Sequence, residues 1–276
     1  MNSQQARELY ATHASALAYV DVERPNGDRN IGSAFHVRNG VFVTARHVLD
    51  GNKILEIKIT EPVAVDATEY FRGVLRVDVT DEYVQEYEAM LKNASGYTPL
   101  FKNYLRPLTL VGHPYFPEET DLDVAAFRVE QIHPNASVVK LGIHYDDWID
   151  RNVWHLSDAI ILGYPPVPMV AEPVLVAARA EVNTFVVPRH SRAVHFILSA
   201  IPRGGFSGGV AIHESGDALG VITSEFFSDA TTDKVGFFAV LSIEAIVKCL
   251  ENHGILPEIQ KQHRDSLLGF HTQSGH

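Results

Sequence analysis

The stretch IGSAFHVRNGVFVTA, residues 31–45, decides the fold of this 276-residue chain. Two short runs rich in apolar and β-branched side chains, residues 31–37 and 41–45, flank the dipeptide Asn39-Gly40. Asn-Gly tolerates the positive φ angles of a tight two-residue turn. The stretch therefore predicts an antiparallel β-hairpin.

Similar runs continue along most of the chain, separated by glycine, proline and polar residues, which favours an all-β barrel or sandwich. Apolar residues at helical spacing predict a helix within residues 1–17, a helical insertion at residues 80–93 and a helix over residues 242–252. The further strands are expected at residues 54–59, 73–79, 124–129, 159–162, 174–178, 183–187, 194–198, 210–213, 220–223 and 236–241.

The composition excludes several classes of partner. With 34 acidic and 23 basic residues, the net charge of −11 offers no broad attraction to nucleic acid or anionic lipid. The single cysteine, Cys249, permits neither an intrachain disulfide nor a cysteine-rich zinc site. No secretory or membrane-spanning pattern is present, and the acidic clusters at residues 118–121 and 146–150 lack the spacing of a calcium loop. We expect a cytoplasmic protein without metal, cofactor, nucleic-acid or membrane partner.

The hexapeptide GGFSGG, residues 204–209, places one serine, Ser207, among four glycines. A nucleophilic serine needs an exposed turn and nearby backbone N–H groups that face the developing oxyanion, and glycine permits both. A flexible glycine-rich turn without chemistry explains this motif alone equally well.

A serine also needs a base and an orienting carboxylate. The run TARHV, residues 44–48, puts His47 at the end of the second hairpin strand. The run DLDVAAF, residues 121–127, offers Asp121 and Asp123, which would project to one face of an extended chain. Each of these residues alone also suits a structural role, as a surface histidine or a turn aspartate.

Taken together, the order His47, Asp123, Ser207 resembles the chymotrypsin-like (trypsin-fold) serine proteases. The likeness is strongest to bacterial trypsin-like peptidases and to the protease domain of HtrA-type enzymes. It spans about residues 31 to 250, and further landmarks of that family occur in the same order at residues 32–35, 158–165, 220–223 and 236–240.

The resemblance implies two packed six-stranded antiparallel β-barrels. The first would cover residues 18–135, with an insertion at about 60–117, and the second residues 150–241. A C-terminal helix and tail would follow at residues 242–276.

The resemblance also implies a function and a site. The chain would be a serine endopeptidase acting on a protein or peptide through an acyl-enzyme. Ser207 would be the nucleophile, His47 the general base and Asp123 the orienting carboxylate, with Asp121 as the alternative acid. The backbone N–H groups of Gly205 and Ser207 would form the oxyanion hole.

Two departures from the family qualify this expectation. Phe206 replaces the aspartate that secreted digestive relatives place before the serine, so their activation switch is absent and an activating partner is a hypothesis. Ile201 stands where trypsin-like specificity would need an acid, which favours an aliphatic or small substrate side chain. Thr223 and Glu225 are the other expected residues of the specificity pocket.

Two alternatives remain open on the sequence. The pattern Gly205-x-Ser207-x-Gly209 also fits the nucleophile elbow of an α/β-hydrolase, which would make the chain a serine esterase. The second alternative is a catalytically silent binding module that uses a protease fold as a scaffold.

Overall fold

The computed structural model describes residues 1–64, 80, 82–83, 85–86, 89, 101–133, 136–142, 154–189, 191–200, 204–223 and 238–273. Its helices are α1 (Ser3–His13), α2 (Arg46–Leu49), α3 (Ile243–Asn252) and α4 (Glu258–Gln273), with a 3-10 turn at Ala14–Ala16. Its strands are β1 (Leu17–Glu23), β2 (Arg29–Arg38), β3 (Val41–Thr44), β4 (Lys53–Ala64), β5 (Phe101–Pro107), β6 (Thr109–Tyr115), β7 (Ala125–Glu130), β8 (Asp158–Gly163), β9 (Val176–Val186), β10 (His195–Leu198), β11 (Val210–His213), β12 (Ala218–Ile222) and β13 (Phe238–Ser242).

The predicted hairpin is present as β2 and β3, which pair antiparallel. Asn39 and Gly40 have φ angles of 52° and 71°, as the two-residue turn requires. Glycine is needed at the second position for a further reason. A Cβ on Gly40 would lie 2.4 Å from the carbonyl oxygen of Val129 on the neighbouring strand β7.

The first sheet has the strand order β5-β4-β1-β2-β3-β7-β6. It curves around one apolar core, to which Phe42, Ile57 and Phe127 contribute from different strands. The backbone N–H of Leu108 also donates to Ile57 O at 2.8 Å. The sheet thus has seven strands, where six were expected. Three of these strands, β1, β5 and β6, are not among those expected from the sequence. A helical pattern precedes β1, and β6 is interrupted by Gly112 and Pro114.

The second sheet is a closed barrel with the strand order β10-β13-β12-β11-β8-β9. Its interior is filled by fully buried side chains such as Ile161, Phe196 and Leu219. Every strand pair described in the two sheets is antiparallel. The prediction of an all-β, trypsin-like arrangement is therefore confirmed, and the parallel sheet of an α/β-hydrolase is not the architecture of the described residues.

The chain forms two compact units, one of Met1–Thr60 with Pro107–His276 and a smaller one of Glu61–Arg106. The insertion expected at about 60–117 is therefore shorter at its C-terminal end, because β6 pairs with β7 in the first sheet. Most of the helical insertion expected at residues 80–93, and the strand expected at 73–79, lie outside the described residues. Where residues 80–93 are described, Glu82, Tyr83, Gln85, Glu86 and Ala89 are helical.

The helices at both ends of the chain have clear local causes. Helix α1 begins with a capping box in which the Asn2 side chain accepts from the backbone N–H of Gln5. Helix α3 buries an apolar face and ends before Gly254, which has a φ of 63°. Helix α4 was expected as a polar tail. Its buried Gln260 donates to Val37 O and accepts from the N–H of Leu141, which anchors the helix.

Among the described residues, no helix combines the length and the apolar character needed to cross a membrane.

Candidate active site

His47 is the second residue of the short helix α2, immediately after strand β3. Its ring Nδ1 lies 2.8 Å from Asp123 Oδ2 and 3.0 Å from Asp123 Oδ1. A carboxylate only accepts hydrogen bonds, so Nδ1 carries the proton and donates it. In the neutral ring, Nε2 is then the unprotonated nitrogen and can accept a proton from another group.

Asp123 holds His47 at two points. Besides the ring, the backbone N–H of His47 donates to Asp123 Oδ1 at 3.0 Å. The residue before α2, Ala45, has no side chain that could cap the helix, and the Asp123 carboxylate caps it instead. The His47 side chain is 40% exposed and that of Asp123 23% exposed, so the pair is accessible from solvent.

The structure distinguishes the two candidate acids. Asp121 is exposed and lies two residues from Asp123 along the same loop, but it borders a different cavity, together with Glu119 and Lys248. Asp123 lies two residues before the buried start of β7 and is the carboxylate that contacts His47. Asp123, the preferred acid, is therefore the one that the structure brings together with the histidine.

The Arg46 side chain links helix α2, which carries His47, to the loop that carries Asp123 through hydrogen bonds. Its guanidinium donates to Pro117 O at 3.1 Å and to Glu119 O at 3.4 Å. The same group also donates to Asp50 Oδ2 at 2.8 Å and lies over the ring of Phe116. Because a guanidinium offers five donors in a rigid plane, one side chain can join these segments.

Ser207 lies in a tight turn. The backbone N–H of Gly209 donates to Phe206 O at 2.8 Å, and Gly208, the third residue of the turn, has a φ of 83°. A positive φ at this position is the signature of a type II turn. The turn is joined to strand β12, since Gly208 N–H donates to Ile222 O at 2.7 Å. Ser207 is half-buried, whereas both of its neighbours are buried.

Close backbone packing joins this turn to the strand that leads to His47. A Cβ on Gly208 would lie 2.1 Å from Ser33 O, 2.2 Å from Thr44 Oγ1 and 3.0 Å from Ala45 N. Glycine is therefore required for the turn to reach the end of β3. Within the described residues, the Ser207 hydroxyl makes no hydrogen bond to the His47 ring. Such bonds are often long in enzymes without substrate.

Gly205, the expected oxyanion-hole residue, has a φ of 90°. A Cβ at this position would lie 2.6 Å from Tyr164 O and 2.8 Å from Pro165 Cα. Both the backbone conformation and the lack of space exclude a side chain. Sequence reasoning missed Ser33, whose buried hydroxyl donates to Gly205 O at 2.6 Å. The only sequence signal for it is its place in the family-like run at residues 32–35.

Of the expected specificity-pocket residues, Ile201 and Glu225 lie outside the described residues. Thr223 is buried directly after β12, and its backbone N–H donates to Ala239 O at 3.2 Å. It follows Ile222, the hydrogen-bond partner of the serine turn.

Two cavities border the site. One of about 600 Å³ opens beside His47 and Asp123 and is flanked by polar side chains. The other, of about 420 Å³, is mostly apolar and is bordered by Pro166, Phe206 and Phe238. Among the described residues, no group of three histidine, cysteine or acidic side chains lies close enough to hold a metal ion.

Of the comparisons with known proteins, only the comparison with solved structures finds proteins similar to this chain. No protein-family model matches the chain, and no curated protein matches it in sequence.

Solved structures do match. The Rv3671c protease from M. tuberculosis in its active form aligns with a TM-score of 0.55 and 15% identity, over 91% of this chain and 86% of that one. The HtrA-type protease AlgW with a tripeptide gives 0.53 and 14%, over 90% of this chain and 64% of that one. The serine endoprotease from Yersinia pestis gives 0.53 and 14%, over 92% and 67%. The chain therefore has the fold of the trypsin-like and HtrA-type serine proteases.

Proposed function

We propose that this chain is a serine endopeptidase in which Ser207, His47 and Asp123 form a catalytic triad. The observation that carries the proposal is the bond from His47 Nδ1–H to Asp123. It fixes the tautomer in which Nε2 is free to accept a proton, and Asp123 would stabilise the ring once it is charged. The serine turn packs against the same strand end, in a fold that serine proteases share.

Acylation would begin when Ser207 Oγ attacks the carbonyl carbon of the peptide bond while His47 Nε2 takes the hydroxyl proton. The tetrahedral intermediate carries one negative charge on the former carbonyl oxygen. When it collapses, the C–N bond breaks and the His47 proton passes to the leaving amine. The products are a free amine and an ester on Ser207.

Deacylation would repeat these steps with water as the nucleophile. His47 Nε2 takes one proton from the water as its oxygen attacks the ester carbon. The Ser207 ester bond then breaks, and the same proton returns to Ser207 Oγ. The second product is a carboxylic acid, so the cycle consumes one water and regenerates the enzyme.

The oxyanion hole would consist of the backbone N–H groups of Gly205 and Ser207. Preorganised donors of this kind stabilise the charge that develops in the transition state. The constrained backbone of Gly205 and the tight turn at Ser207 support this assignment, because donors that need not reorganise contribute most.

For substrate choice we propose an aliphatic or small side chain at the cleavage site, since in the sequence Ile201 stands six residues before Ser207, where trypsin-like specificity would need an acid. Phe206 is buried where digestive relatives carry an aspartate, so that ion-pair switch cannot operate here. We further propose narrow specificity, or a partner that orders the site. Broad, constitutive hydrolysis of casein would contradict this part of the proposal.

A second candidate is a catalytically silent binding module. The observation that favours it is that, among the described residues, no hydrogen bond links Ser207 to the His47 ring. The two candidates differ in whether Ser207 is nucleophilic.

Labelling with a fluorophosphonate probe separates these candidates. We expect the wild type to react, Ser207→Ala and His47→Ala to lose labelling, and Asp123→Asn to react far more slowly. Asp121→Asn is the matched control and should react like the wild type, because Asp121 is exposed and is not the acid bonded to His47. Absence of labelling in the folded wild type would favour the silent module, or a protease that is inactive without the partner proposed above.

A further inference from the structure

We propose that Ser33 is a positioning residue whose hydroxyl holds the Gly205 carbonyl and thereby orients the Gly205 N–H of the oxyanion hole. This inference rests on the proposed endopeptidase function. Ser33 lies on strand β2 of the first sheet and is fully buried.

The Ser33 hydroxyl joins two segments that are distant in sequence. It donates to Gly205 O at 2.6 Å and accepts from the backbone N–H of Tyr164 at 2.8 Å. A hydroxyl supplies one donor and can also accept, so it meets both needs at once. An apolar side chain here would leave a buried carbonyl and a buried N–H without these partners.

Gly205 is thereby held from two sides. Its carbonyl is bound by Ser33, and the space where a side chain would extend is filled by Tyr164 and Pro165. Fixing the carbonyl restricts rotation about the Cα–C bond, and close packing restricts movement of the Cα. Because the φ of Gly205 is 90°, holding its Cα and its carbonyl in place also sets the direction of its N–H. This N–H is the proposed oxyanion donor.

The backbone of Ser33 makes separate contacts with the site. Its N–H donates to Ser207 O at 2.8 Å, and its carbonyl accepts from Thr44 Oγ1 at 2.7 Å. These bonds do not involve the side chain, so a Ser33→Ala variant retains the groups that make them. The substitution therefore isolates the hydroxyl and its effect on Gly205.

A hydroxyl with this role stabilises the transition state without contacting the substrate. Its removal should lower kcat and leave KM nearly unchanged, because ground-state binding does not depend on it. A residue that serves folding alone would lower the amount of active enzyme but not the kcat of the folded fraction.

The test compares Ser33→Ala with Ser15→Ala. Ser15 is also buried, and its hydroxyl donates to Ser137 Oγ at 2.7 Å, so the control removes a similar bond from a place with no proposed role in catalysis. With a chromogenic peptide ester as substrate, we expect kcat of folded Ser33→Ala to fall by about tenfold or more, with KM changed by less than about twofold. Ser15→Ala should match the wild type.

Hydrogen exchange provides a readout that does not depend on turnover. Peptides that cover residues 204–209 should exchange faster in Ser33→Ala than in the wild type or Ser15→Ala, because the turn loses a buried anchor. If Ser33→Ala does not fold, Ser33→Cys serves instead, since a thiol keeps similar size but is a weaker hydrogen-bonding group.

The outcomes separate this inference from the function on which it rests. If the wild type hydrolyses the ester through Ser207 and folded Ser33→Ala has the same kcat, the inference alone is overturned. It is likewise overturned if KM and kcat change together while exchange at residues 204–209 does not. If the wild type is inert towards both the ester and the fluorophosphonate, the proposed function fails for the chain on its own, and the inference falls with it.

Discussion

Replacing Phe206 by alanine would show how far the core of the second barrel supports the serine turn. The Phe206 side chain is 5% exposed, and its ring meets that of Phe238 edge to face, with centroids 5.9 Å apart. Truncation of a buried phenylalanine costs about 3–5 kcal/mol of unfolding free energy. The ring borders a cavity of about 420 Å³, so it already lacks contacts on one side. We therefore expect the lower end, about 3 kcal/mol.

The same substitution should also affect reactivity. Phe206 stands between Gly205 and Ser207, whose N–H groups are the proposed oxyanion donors. Loss of one such donor costs about 100- to 1,000-fold in rate in other enzymes. A loosened turn still samples the productive geometry, so we expect the rate constant for fluorophosphonate labelling to fall by about tenfold.

Phe196→Ala is the matched control. Phe196 is fully buried in the same core, and its ring meets Trp154 edge to face, with centroids 5.9 Å apart. It lies on strand β10, which is not a neighbour of β11, the strand that follows the serine turn. Urea unfolding measures the free energy of each variant, and labelling is measured where both are fully folded. We expect both variants to lose a similar amount of unfolding free energy, and only Phe206→Ala to label slowly. Equal labelling rates in the two variants would refute the proposed coupling.

Two further predictions concern pH and backbone conformation. Burial lowers the pKa of His13 to about 4 from 6.5, so the folded protein favours the neutral ring. The contribution of this shift to the free energy of unfolding is complete above pH 6.5 and is lost as the pH falls towards 4. Urea unfolding measures that free energy at about pH 7.5 and about pH 5, and the difference between the two values should be about 2 kcal/mol larger in the wild type than in His13→Gln. A difference that His13→Gln leaves unchanged would refute this. Gly208→Ala should abolish labelling, because its Cβ would lie 2.1 Å from Ser33 O. Gly27→Ala is the control, since Gly27 also has a positive φ, 85°, but has open space around it. This variant should label normally and lose only about 1–2 kcal/mol of unfolding free energy. Normal labelling of Gly208→Ala would show that the serine turn does not need its close approach to β3.

The parts of the fold that sequence predicts well are those encoded locally. The turn at Asn39 and Gly40 needs two positive φ angles, and the residue types indicate it. Helix α3 is similar, because its apolar face and the following Gly254 both lie within one short segment. The choice of Asp123 over Asp121 came from family resemblance, since the two-residue spacing alone allows either.

The features that sequence reasoning missed depend on distant contacts. The Ser33 hydroxyl binds Gly205 and Tyr164, which are 172 and 131 residues away along the chain. The family-like run at residues 32–35 marks the position of Ser33 but does not indicate these two partners. Helix α4 is mostly polar and is anchored by Gln260, whose partners lie on other segments. Strand β6 contains Gly112 and Pro114, so its pairing with β7 overrides weak local preferences.

Direct detection of the acyl-enzyme tests the central claim, that His47 and Asp123 activate Ser207 for acyl transfer. The protein is mixed with a chromogenic peptide ester and quenched in acid, and its intact mass is measured before peptide mapping. We predict a mass increase equal to the acyl group, located on Ser207 and absent from Ser207→Ala and His47→Ala. Ester hydrolysis by the wild type with the acyl group on another residue, or undiminished acylation of His47→Ala, would contradict this claim.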